Sequence, residues 1–235
     1  MSKQAICLRG SRLTIHGISN AALGWCVLLC LSLGYVSSSA APQTGSISTA
    51  TVRALVSRRD VPALKNLGGD VLPVMVQLYR TASESDRVNI AATFYDLGWQ
   101  SSEAKQALMP DIHTANQNLR IQVQYAVGRV SSDADVVDVL LDNMQNDGSP
   151  LFRDKAACAL AYDQIHLSEK QKVRLYDGLI RGLSDAKLDV RSIAALALRI
   201  QTGQTKDFHA NGTPAQRSSS IREWQKWLDE YRSRW

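Results

Sequence analysis

Four nine-residue segments of this 235-residue chain align without a gap on an arginine: Asp86–Phe94, Leu119–Val127, Phe152–Leu160 and Val190–Leu198. The aligned arginines, Arg87, Arg120, Arg153 and Arg191, recur at intervals of 33, 33 and 38 residues. Counting from each, position +3 holds Ile90, Val123, Ala156 and Ala194, position +6 holds Thr93, Ala126, Ala159 and Ala197, and position +7 holds Phe94, Val127, Leu160 and Leu198. Those offsets share one face of a helix. A fixed period in the range of about 20–50 residues marks a stacked array of small units, none of which buries its apolar face alone. The one longer interval places extra chain near His166–Lys170.

Between these segments lie helices of a second kind, with an apolar stripe and a polar opposite face. Asp70–Ala82 carries Val71, Met75, Leu78, Tyr79 and Ala82; Asp133–Gln145 carries Val136, Val137, Leu140, Leu141 and Met144; a third stripe is Val173, Tyr176, Ile180 and Leu183. The chain from Ser48 onward shows no alternating strand pattern, so the expectation is an all-α protein. Leu97-Gly98 reads as a helix stop, Ser131-Ser-Asp133 and Ser168 as caps, and Asn146-Asp-Gly148 as a turn. Thr213-Pro-Ala-Gln216 starts a last helix with a capping threonine and proline at the first position. Its stripe is Ile221, Trp224, Leu228, Tyr231 and Trp235, with Trp227 beside it, and it is expected to close the array.

An outer amphipathic helix followed by an alanine-rich inner helix resembles the HEAT repeat, including the exported bacterial and phycobilin-lyase-type members of that family. Asp189-Val-Arg191 with Ala194, Ala195 and Leu198 is the nearest copy of the family pattern, and the copies at Arg87 and Arg120 depart from it more. The resemblance implies an α-solenoid of about four antiparallel helix pairs between Asp70 and Thr202. It also implies that the arginine row bridges neighbouring repeats. The expected organisation is a leader over 1–40, a linker and irregular half-repeat over 41–69, HEAT-like repeats over 70–204 and a capping segment and helix over 205–235.

The leader is read from charge. Lys3, Arg9 and Arg12 come first, no charged residue follows until Arg53, and Ala21–Val36 is strongly apolar. That order, with small residues from Ser37 to Ala41, fits a secretory signal peptide cleaved after Ala40. The uncharged stretch over residues 17–36 also reaches the length of a membrane span, so an uncleaved anchor is the second expectation. Either way the body is expected to be exported, to the periplasm, the cell surface or the medium. The leader holds three of the 27 Lys and Arg residues and none of the 22 acids, which leaves the body 24 cations against 22 acids. A near-neutral body argues against nucleic-acid binding. Three of the four cysteines also precede residue 41, and Cys158, set among alanines, reads as a small core residue.

No set of residues converges on a catalytic pattern. His113, His166 and His209 lack a second ligand at metal spacing. The acid pairs Asp133/Asp135 and Asp229/Glu230 suit helix ends and polar faces. There is no phosphate-cradling glycine loop and no nucleophile elbow. Asn211-Gly-Thr213 matches a glycosylation sequon but reads better as a turn leading to a cap. The sequence therefore predicts no enzyme, no cofactor and no metal, but a scaffold or adaptor that binds another protein. A cofactor-handling role like that of the HEAT-repeat bilin lyases stands second, and nucleic-acid binding third. Membrane contact is expected only if the leader stays uncleaved. Positions +2 and +9 of the inner helices nominate Asn89, Gln122, Arg129, Lys155 and Tyr162 as the partner surface, with Asp96, Ile193 and Ile200 in the same two rows.

Overall fold

The computed structural model describes residues 47–235. The expected leader, its cleavage point and the alternative anchor lie outside the described residues.

Eleven α-helices make up the described chain: α1 (Thr49–Ser57), α2 (Val61–Leu67), α3 (Val71–Thr81), α4 (Glu84–Leu97), α5 (Ser102–Leu108), α6 (Gln117–Val130), α7 (Ala134–Asn146), α8 (Pro150–Tyr162), α9 (Glu169–Gly182), α10 (Leu188–Thr202) and α11 (Pro214–Arg232). A short 3-10 turn, Met109–Asp111, follows α5. No strand occurs among the described residues, and the fold is all-α.

Local chemistry accounts for most boundaries. The Ser83, Ser101, Asn116, Ser168 and Thr213 side chains each accept a backbone N–H in the first turn of the helix that follows. Ser168 with Gln171, and Thr213 with Gln216, form reciprocal capping boxes. Helix α4 stops where Gly98 turns left-handed at φ 65°, a conformation that costs a residue with a Cβ roughly 1–2 kcal/mol.

The inner helices pack in succession, α4 on α6, α6 on α8 and α8 on α10. A second series runs α1 to α3, α3 to α5, α7 to α9 and α9 to α11, and α7 and α9 also pack against α8 and α10. One core joins them. All twelve residues at positions +3, +6 and +7 from the aligned arginines are buried, none more than 5% exposed. The outer stripes are buried as well, apart from Ala82 and Val173, which are half-buried. Close packing needs Gly178 on α9, where an added Cβ would stand 2.2 Å from Leu141 Cδ1 on α7.

Helix α11 lies on α9. Trp224, Leu228 and Tyr231 are buried, and Ile221 and Trp227 are half-buried. Trp235 departs from the expected stripe: α11 ends at Arg232, and the last ring, beyond the helix, is 61% exposed.

Candidate partner-binding face

The four aligned arginines sit at matching places and make matching contacts. Arg87 Nη1 donates to both carboxylate oxygens of Asp111, at 3.0 and 2.7 Å, in the turn ahead of α6. Tyr79 donates its hydroxyl to the same carboxylate at 2.7 Å. Arg120 bonds Asp147 in the turn ahead of α8, and its guanidinium lies 4.1 Å from the centre of the Phe152 ring. Arg153 pairs with Asp189 in the first turn of α10 and donates to the Asp147 carbonyl at 2.7 Å. Arg191 donates to the carbonyls of Asp185, Ala186 and Ala210, each at 2.8 Å. Each of the first three thus ties its inner helix to chain belonging to the next one, and Arg191 ties α10 to the segment before α11. Asp147 serves twice, its carboxylate to Arg120 and its carbonyl to Arg153. These side chains are mostly buried, with Arg153 only 8% and Arg120 12% exposed. Charge-assisted hydrogen bonds of this kind contribute about 1.5–3 kcal/mol each.

Of the nominated partner residues, only Asn89 and Tyr162 are exposed, Tyr162 at 43%. Gln122, Arg129, Lys155, Ile193 and Ile200 are half-buried. Asn89, Gln122 and Lys155 occupy equivalent positions on three helices that pack consecutively, and Lys155 Nζ lies 3.1 Å from Asp154. Two members of the +9 row, Asp96 and Arg129, are drawn into internal pairing. Asp96 pairs with Arg59. Arg129 Nε donates to Asp163 at 3.0 Å, its Nη2 reaches the Tyr95 hydroxyl at 3.2 Å, and its guanidinium lies 4.3 Å from the centre of the Tyr95 ring.

The connection after α8 explains the longer interval. His166 Nε2 lies 2.9 Å from the carbonyls of both Gly98 and Arg129, so one imidazole N–H is shared between the ends of α4 and α6. An added Cβ on Gly128 would stand 3.0 Å from the Asp163 carbonyl oxygen and 2.4 Å from Gln164 Nε2, so this stretch crosses α6 at backbone contact. Asp163 is 3% exposed. Burial pushes its carboxyl up to about 6, with Arg129 pulling the other way.

The acid pair Asp133/Asp135 has a partner that local spacing does not show. Lys105 on α5 reaches both carboxylates, at 2.7 and 2.9 Å, and its ammonium is held in the charged form by them. Arg174 on α9 likewise pairs with Asp138 on α7, at 2.5 Å. Among the described residues, no group of His, Cys, Asp and Glu is arranged to hold a metal ion, and no helix is long and apolar enough to cross a membrane.

A cavity of about 590 Å³ opens between α1, α3 and α4, among the first helices of the described residues. Asn89 lines it, together with Arg53 and Asp86.

The chain matches no protein-family model, and no curated protein matches it.

Proposed function

We propose that this chain is an exported, HEAT-like α-solenoid that works without catalysis, as a scaffold or adaptor binding another protein along the row of inner helices α4, α6, α8 and α10. The observation that carries the reading is the unbroken succession of these four helices, with an arginine at the same position of each bonded to the chain that follows. In a stack of this kind each unit contacts its neighbours only, and the repeated helices present one extended surface. The four arginines are occupied internally, and Arg129 is already paired with Asp163, which leaves the flank carrying Asn89, Gln122, Lys155 and Tyr162 as the partner surface. That flank is polar and amphipathic rather than strongly charged, which suits a reversible protein contact better than a nucleic-acid backbone. The apolar run after Arg12 supports export.

Photo-crosslinkers placed at Gln122 and Lys155 in the native envelope test this. They should capture the same partner protein, and a crosslinker at Asp142, exposed on the outer helix α7, should not capture it. Identical adducts from all three positions would remove the assigned face. Co-purification of a chromophore visible in the absorbance spectrum would instead favour the cofactor-handling reading.

A further inference from the structure

The cavity between α1, α3 and α4 combines three features in one place. Its apolar floor is Val56, Leu78 and Ile90, each no more than 5% exposed. On the α1 side stands Arg53, exposed and without an ion pair among the described residues. On the α4 side stand Asp86 and Asn89. Asp86 shares the cavity wall with Arg53, yet no salt bridge joins them. One Asp86 oxygen accepts the Ser83 hydroxyl at 2.8 Å, which leaves the other for a donor from outside. The Asn89 amide makes no hydrogen bond among the described residues and offers both a donor and an acceptor.

A cavity of about 590 Å³ falls inside the range of roughly 300–1,000 Å³ that bound ligands occupy. Its charges constrain the occupant. One cation opposed by one carboxylate suits a ligand with a single negative group and N–H donors beside it, and disfavours a phosphate, whose second charge would meet Asp86. A long acyl chain would meet the apolar lining but leave Asp86 and Asn89 without a partner. A peptide end satisfies every part, since it carries a carboxylate, a side chain and backbone amides in sequence.

We propose that this cavity captures the free C-terminus of a partner peptide whose last residue is apolar. Arg53 takes the terminal carboxylate, Val56, Leu78 and Ile90 take the last side chain, and Asp86 and Asn89 hold the backbone amides behind it. The proposal rests on the protein-binding reading and names what part of the partner that surface reads.

The test uses the full chain and a fluorescent hexapeptide ending in Ala-Leu, made as the free acid and as the C-terminal amide, with binding followed by anisotropy. The free acid should bind at least about tenfold more tightly than the amide, because the amide removes the charge-assisted pair. Arg53→Ala should erase that preference without lowering the melting temperature, and Arg53→Lys should keep part of it. Equal binding of acid and amide, no binding of either, or a preference that survives Arg53→Ala would each overturn the proposal. So would decanoate displacing the peptide at lower concentration than an unlabelled free-acid peptide, which would make the site one for fatty acids. The crosslinks from Gln122 and Lys155 separate the two failures: if they persist while acid and amide bind alike, only the cavity assignment falls.

Discussion

At the C-terminal end of the described chain, α11 lays Trp224, Leu228 and Tyr231 onto α9, and Tyr176 meets the rings of Trp227 and Tyr231 at 5.2 Å each. At the N-terminal end, α1 reaches α3 and α4 but leaves a 590 Å³ cavity with a charged rim. Large aromatic rings cover the apolar flank of α9, whereas the short helix α1, with Ala50 and Ala54 on the cavity wall, leaves space beside α3 and α4. One end is built for stability and the other leaves room for an occupant.

Trp224→Ala attacks the closed end and should have the largest effect. The ring is 1% exposed, and truncating a buried tryptophan costs about 3–5 kcal/mol. Its Nε1 is buried without a hydrogen-bond partner among the described residues, which places the cost toward the lower part of that range. Urea melts would show the loss. An unchanged melt would mean that α11 adds nothing to the core it covers on α9.

Between the ends, Asp163 gives a pH-dependent test. A carboxyl raised from 3.8 to about 6 in the folded chain contributes stability that is present below its unfolded value and is lost as pH rises through about 6. Raising the pH from about 4 to about 7 should therefore remove on the order of 2–3 kcal/mol from this group, and Asp163→Asn should lack that component. Asp133 and Asp189 are held below their ordinary value by Lys105 and Arg153, so their contributions are gained mostly below the window. Glu169 and Glu103, held below 4.5, gain stability as pH rises through the window's lower edge, opposite in sign to Asp163, and cancel in the comparison with Asp163→Asn. A flat difference between the two pH profiles would contradict the assignment.

The open end should respond least. Arg53 is exposed and bonded to nothing described, so Arg53→Ala should change stability by less than about 0.5 kcal/mol. A drop comparable to that of Trp224→Ala would erase the distinction between the ends.

The repeating faces were legible in the sequence because burial there depends on spacing alone, as the twelve buried positions on α4, α6, α8 and α10 show. Caps were legible for the same reason: Thr213 with Gln216 acts within a single turn. What escaped depends on contacts between distant segments. Lys105 meets Asp133 and Asp135 from 28 and 30 residues away, and His166 reaches Gly98 across 68. Position +4 also hid an exception. Ala91, Ala157 and Ala195 occupy it elsewhere, yet α6 has Gln124 there, fully buried with both amide atoms unpartnered among the described residues, and nothing in the structure explains that choice. The cavity was invisible because its walls come from three helices, only one of which belongs to the aligned set.

The arginine row tests the central claim most directly, since bridging and ligand binding predict opposite outcomes. Arg120→Ala and Arg153→Ala each remove a mostly buried cation bonded to the following turn or helix and should each cost on the order of 1.5–3 kcal/mol. Because Asp147 bonds both arginines, the double variant should depart from additivity. Melting curves of the wild type, the two single variants and the double variant measure this. A lowered midpoint in both single variants is the expected result. If neither midpoint falls, while binding to an anionic partner weakens in a salt-dependent way, the row faces a ligand and replaces Asn89, Gln122 and Lys155 as the binding surface.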